Sequence, residues 1–183
     1  MADNVDNIDD FIIEALKCFA ENSKIKQYPQ DWGKCIELCS QNSITPIIYR
    51  TTGTNELKTF YNKTAAVNFL YENEIKRIFK QFAISGTKAI LMRGLYLGCN
   101  IYRDTALRPF KDIDILVERE NIKKAEKALK ALGYYYSPAL FPKELFLDMH
   151  LHIVYLHPKY RLACEVHWAV DHPFTLYNIN IKE

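Results

Sequence analysis

This chain is short of glycine, has no long apolar run and carries little excess of either charge, and each shortage removes a class of protein. Only 6 glycines occur in 183 residues, and none falls in a Gly-x-x-x-x-Gly-Lys-Ser/Thr or Gly-x-Gly-x-x-Gly pattern. The two commonest sequence reasons for P-loop or Rossmann nucleotide binding are therefore missing. The longest apolar stretch falls well short of a bilayer crossing, so no membrane partner is expected. A net charge of +2 gives no long-range pull on nucleic acid, although Arg103, Arg108 and Lys111 form a local basic patch able to receive phosphates. The cysteines number five, an odd count without framework spacing, which reads as reduced thiols; Cys35 and Cys39 stand one helical turn apart, where burial is their expected role. The first residues, Met1 to Asp6, lack the basic and apolar regions of a signal peptide, and a cytoplasmic location is expected. No repeat, low-complexity tract or charged tail interrupts the chain.

What is present is the composition of a globular protein: 49% apolar residues, with 12 Tyr and 10 Phe, suffice for a core. The pattern divides near Gly86. Residues 1–86 read as a helical region. Ile8, Phe11, Ile12, Ala15, Leu16 and Phe19 recur at helical spacing, with Asp9 and Asp10 at the positive end of the dipole. A second helix begins near Asp31 and carries Trp32, Cys35, Ile36 and Cys39, and a short one opens at Pro46 and ends at Gly53. The longest spans about 55–83, with Leu57, Phe60, Val67, Tyr71, Ile75, Ile78 and Phe82 in an inward stripe and a Glu72 to Lys76 pair outside.

Residues 87–183 read as a mixed α/β domain. Ala89 to Met92 is a short buried strand, and Asp112 to Val117 is a second. A helix over 120–132 follows, capped by Gly133, then strand-like Tyr134 to Tyr136. A loop with Pro138 and Pro142 leads to strands at 150–156 and 162–168 joined by the turn His157 to Tyr160. The fold class expected is α+β, a helical region followed by a small mixed sheet with flanking helices.

The chemistry concentrates in Asp112-Ile113-Asp114-Ile115-Leu116-Val117. Alternate residues of a strand face one side, so Asp112 and Asp114 point together while Ile113, Ile115 and Val117 point into a core. Two carboxylates so placed suit a hard cation such as Mg²⁺, whose remaining shell is usually water and phosphate. In Cys164-Glu165-Val166-His167-Trp168, Glu165 and His167 share a face opposite the other three. If that strand lies beside the Asp strand, Glu165 becomes a third carboxylate, either a metal ligand or a general base whose pKa is raised by its acidic neighbours; otherwise it is a surface Glu on an edge strand. Upstream, Arg93-Gly94-Leu95 ends a strand and opens a helix, where backbone N–H groups and the glycine could meet a triphosphate, and Arg93 and Arg108 offer guanidinium forks to phosphate oxygens.

Ile90-Leu91-Met92-Arg93-Gly94, Arg108-x-x-x-Asp112-Ile113-Asp114-Ile115-Leu116-Val117, Gly133-Tyr134 and Glu165-Val166-His167-Trp168, taken in order, resemble the uncharacterised nucleotidyltransferase family of the polymerase-beta-like superfamily. The resemblance covers about residues 85–171. It implies transfer of a nucleoside monophosphate from an NTP to an acceptor hydroxyl with release of pyrophosphate. It implies Asp112, Asp114 and Glu165 as catalytic residues and ligands of Mg²⁺ or Mn²⁺, with Arg93, Gly94 and Arg108 on the NTP. His167 is an accessory residue on this reading. Arg93 stands where relatives usually carry Lys, and Leu95 where most of the superfamily carries Ser. The family commonly continues well beyond the His-Trp element, so acceptor-binding parts are expected either to be missing from the domain over 87–183 or to be supplied by another chain.

Two other readings stand beside this one. All histidines lie between His150 and His172; His150-x-His152 would set two imidazoles on one strand face, with Cys164 and His167 nearby in sequence, a zinc alternative without standard spacing, or else the histidines of the hairpin are simply satisfied in place. A non-catalytic nucleotide-binding or protein-interaction module is the other, with retention of all three acids favouring an enzyme. The acceptor expected is a small molecule or protein rather than a long nucleic acid.

Overall fold

The computed structural model describes residues 4–5, 7–137, 150–160 and 162–170. The chain divides into two compact units, one of residues 1–70 with 97–109, the other of residues 71–96 with 110–183. The composition shift at Gly86 thus falls inside the second unit, and the chain first changes unit within its longest helix.

The first unit is helical because its apolar residues repeat at three and four and its ends carry caps. Helix α1 (Ile8–Ala20) starts at Asn7, whose side chain accepts from the Asp9 N–H at 3.0 Å. Helix α2 (Trp32–Gln41) starts at Asp31, which accepts from the Lys34 N–H. Helix α3 (Thr45–Thr52) has Pro46 in its first turn and ends at Gly53, whose φ of 69° belongs to the left-handed region that glycine reaches without strain. With the first part of α4 (Asn55–Ile84) they enclose Phe11, Ala15, Cys35, Cys39, Ile48 and Leu57. The Cys35 and Cys39 sulfurs lie 3.9 Å apart as buried free thiols. The sequence pattern gave no sign of the parallel pairing of β1 (Asn4–Val5) with β2 (Tyr28–Pro29), which is too short for any periodicity.

The inward stripe expected for α4 is corrected in its middle. Phe60 is 37% exposed, and the buried residue of that segment is Asn68, at 1%. The Asn68 side-chain amide donates to the Arg108 carbonyl at 2.9 Å and to that of Thr105, and the Tyr61 hydroxyl donates to Asp104 at 2.7 Å. Backbone carbonyls of the irregular segment 104–108 need donors that no apolar side chain supplies, so polar residues hold the inner face there.

The second unit is a five-stranded sheet in the order β3 (Ala89–Met92), β4 (Asp112–Val117), β7 (Leu162–His167), β6 (His152–His157), β5 (Tyr135–Tyr136). β4 and β7 run parallel, and the other pairs are antiparallel. Helix α5 (Gly94–Asn100) follows β3. One sheet face packs Ile113, Ile115, Val117, Ile153, Tyr155, Cys164 and Val166 against Ile75, Ile78 and Phe82 of α4 and Ala125, Ala128 and Leu129 of α6 (Ile122–Ala131). The fold is the α+β class expected.

Some bounds move. The helix expected from 120 opens with a 3₁₀ turn at Arg119–Asn121, and Tyr134 is buried ahead of β5 rather than within it. β6 starts at His152 and runs to His157, leaving the turn to 158–160. The Pro138 and Pro142 loop, His172 and the last residues through Glu183 lie outside the described residues. Among the described residues, no helix is long and apolar enough to cross a membrane.

Candidate active site

The opposite face of the same sheet collects the charged residues. β7 lies between β4 and β6, so Glu165 is on an inner strand, and the edge-strand alternative is excluded. In the parallel ladder Asp112 faces Ala163, Asp114 faces Glu165 and Leu116 faces His167; in the antiparallel one His152 faces His167. Partners across a ladder share a face, which sets Asp112, Asp114, Glu165, His167 and His152 on one side.

His167 Nε2 links the group, lying 3.0 Å from Asp114 Oδ1 and 3.4 Å from Glu165 Oε2. Burial alone would lower its pKa, but the contacts to Asp114 and Glu165 outweigh it and hold the imidazole above its ordinary value. The hydrogen bond from His167 in turn holds the Glu165 carboxyl below its usual range, helped by His152 with Nε2 at 3.7 Å. That corrects the expectation that acidic neighbours would raise Glu165. The carboxyl held up is Asp112, first by burial and then by the charges of Asp114 and Glu165. Burial lowers His152, against the pull of Glu165.

Arg93 stands between β3 and α5 with φ at 48°, a left-handed value that costs a non-glycine residue roughly 1 kcal/mol or more. From there its guanidinium reaches Asp114 at 3.4 Å while the side chain stays 60% exposed. Gly94 follows; a Cβ there would come to 3.2 Å from the Phe110 ring, which also packs on Tyr71 with centroids 5.2 Å apart. A side chain there would press on the residue that leads into β4, which would have to give by a few tenths of an ångström. Arg108 falls in the first unit, where its carbonyl accepts from Asn68 and its Nε is buried without a hydrogen-bond partner among the described residues.

The structure therefore gathers Asp112, Asp114, Glu165, Arg93 and His167. The pairing of His150 with His152 is corrected: His150 is exposed and precedes β6. Cys164 is buried on the opposite face, in the core. His157 is satisfied in place, its Nδ1 accepting from the Lys159 and Tyr160 N–H groups at 3.2 and 3.3 Å. Sequence reasoning missed that His152 approaches Glu165 and His167; the hairpin register that brings it there, with four residues between His157 and Leu162, was the signal. Among the described residues the one set of three His, Cys or carboxylate donors with ligand atoms within 4.8 Å of one another is His152, Glu165 and His167.

Comparison with curated proteins finds no match. The family model described as "Uncharacterised nucleotidyltransferase" matches residues 28–183, which takes in every residue of the charged face together with most of the helical region. On that match, covering most of its length, the chain belongs to the uncharacterised nucleotidyltransferase family.

Proposed function

We propose that the chain transfers the nucleoside monophosphate of an NTP to an acceptor hydroxyl, with Asp112, Asp114 and Glu165 holding Mg²⁺ or Mn²⁺. One observation carries this: three carboxylates from two adjacent strands share a sheet face, Asp114 directly opposite Glu165. The donor set fits a hard cation. All three groups are oxygen ligands, and the Asp112 carboxyl is raised first by burial and then by the charges of Asp114 and Glu165, which a divalent cation would offset. A divalent ion bound there neutralises charge on the triphosphate and polarises the reacting phosphoryl group.

The remaining work belongs to the chain's own residues. The acceptor oxygen attacks the α-phosphorus, the bond to the bridging oxygen breaks, and pyrophosphate departs with that electron pair. A carboxylate must take the hydroxyl proton. Arg93, with its side chain 60% exposed, receives triphosphate oxygens, with the Gly94 backbone beside it. His167 is a positioning residue that fixes Asp114 and Glu165 through one nitrogen. The near-neutral charge favours a small-molecule or protein acceptor over a long nucleic acid.

Calorimetric titration of each NTP, with and without Mg²⁺, tests the reading. Metal-dependent binding that disappears in Asp112→Asn supports it and names the donor base. Equal binding in wild type and variant removes the carboxylates from the site. No binding of any NTP leaves a protein-interaction module in its place.

A further inference from the structure

Beside the Asp pair, the same face holds a donor set of different chemistry. His152 Nε2 and His167 Nε2 lie 3.7 and 3.4 Å from one oxygen, Glu165 Oε2, and all three ligand atoms fall within 4.8 Å of one another. Tetrahedral zinc with bonds of about 2.1 Å requires ligand atoms about 3.4 Å apart, so two of the three edges stand close to their bound length without any cation. The two rings approach at 4.8 Å between centroids, 36° from parallel, and both turn the same nitrogen toward the carboxylate. A mixed nitrogen and oxygen set suits a borderline cation such as Zn²⁺ or Co²⁺, whereas Mg²⁺ prefers oxygen alone.

The three residues are also held as a metal site requires. They come from the two inner strands β6 and β7, whose ladder sets His152 directly opposite His167. His167 is nearly enclosed, Glu165 is about one-fifth exposed and His152 one-third exposed, which leaves the site open on the His152 side for a cation to enter with bound water. Asp114 Oδ1, 3.0 Å from His167 Nε2, is the competing partner: while His167 donates to it, that nitrogen cannot bind metal.

The geometry points to a transition-metal site formed by His152, Glu165 and His167, which takes a cation of the Zn²⁺ class and shares Glu165 with the carboxylate site proposed above. The inference stands apart from nucleotidyl transfer in that His152 has no part in that chemistry and no nucleotide is needed for the ion to bind. When occupied, the site draws Glu165 toward the imidazoles, so the cation bound here regulates the third carboxylate of its neighbour.

The test is titration of Co²⁺ alone into the chelator-stripped full chain, followed by visible absorption. Expected is one ion per chain with the intense d–d bands of four- or five-coordinate cobalt, without the thiolate charge-transfer band that Cys99 or Cys164 would add. His152→Ala and His167→Ala each weaken binding by at least about 100-fold, the upper end of what loss of an outer partner costs. His150→Ala and Asp112→Asn keep the bands. Failure of the transfer reading alone would show as intact cobalt bands with no NTP binding. The proposal is overturned if wild type shows only the faint colour of six-coordinate cobalt, or if His152→Ala binds as wild type does. Should His167→Ala fail to fold, His152→Ala, at a site one-third open to solvent, decides by itself.

Discussion

The two faces of β4 and β7 are built from alternate residues of the same two strands and differ sharply in character. Ile113, Ile115, Cys164 and Val166 are buried to 1% exposure or less against α4 and α6, while Asp112, Asp114, Glu165 and His167 project from the other side. A period of two lets one short strand hold the fold with half its residues and carry charge on the rest, and rigid pairing in the ladder transmits the order of the first set to the second. Stability and chemistry are thereby separable, residue by residue.

The sharpest division is expected at Asp112. Asp112→Asn should lower NTP turnover by about 1000-fold or more, about 4 kcal/mol in the barrier, in a pyrophosphate-release assay. In metal-free protein its thermal midpoint should rise slightly at neutral pH. The folded pKa of Asp112 is raised, so the protonated carboxyl is the form the fold favours; that stabilisation is present below the unfolded value and lost as pH rises through the folded one. The advantage of Asn therefore vanishes in acid, below the ordinary carboxylate range, and a midpoint that fell at neutral pH would join the two faces again.

On the core face, Ile115→Ala should cost about 3 kcal/mol in denaturant unfolding, since Ile115 is fully enclosed, while turnover per folded molecule changes less than about threefold. Cys164→Ser is smaller, about 1–3 kcal/mol, because a hydroxyl in that apolar site lacks the partners it had in water. Lys76→Ala, which removes an exposed i,i+4 pair with Glu72 away from both faces, should cost at most about 0.5 kcal/mol by the same measurement. A turnover loss in either core variant larger than its loss of folded protein would show that the faces are coupled.

The sequence disclosed this division unevenly. Asp112, Asp114 and Glu165 were legible because alternation fixes a side chain's face once a strand is recognised. The partner of Asp114 was conditional, since nothing local says which strand β7 will lie beside. His152 was harder to place for a related reason: its approach to His167 depends on a hairpin register that keeps His157 in the strand and leaves four residues before Leu162. Asn68 escaped because its burial serves the carbonyls of Thr105 and Arg108, and hydrophobic periodicity has no term for a polar residue with a structural duty. Phe60 was misplaced for the same cause, with the inner face beside it already held by Tyr61. Arg93 could be named but its backbone could not, because a left-handed φ in a non-glycine residue leaves no mark in composition.

The parallel pairing of Asp114 with Glu165 spans α6, β5 and β6 in the chain. During synthesis β4 is made before β7, so on the proposed transfer chemistry a nascent chain that stops ahead of Glu165 carries two of the three acids and should show no turnover. On that reading, the appearance of activity during translation would report the placement of a single central strand, β7 between β4 and β6.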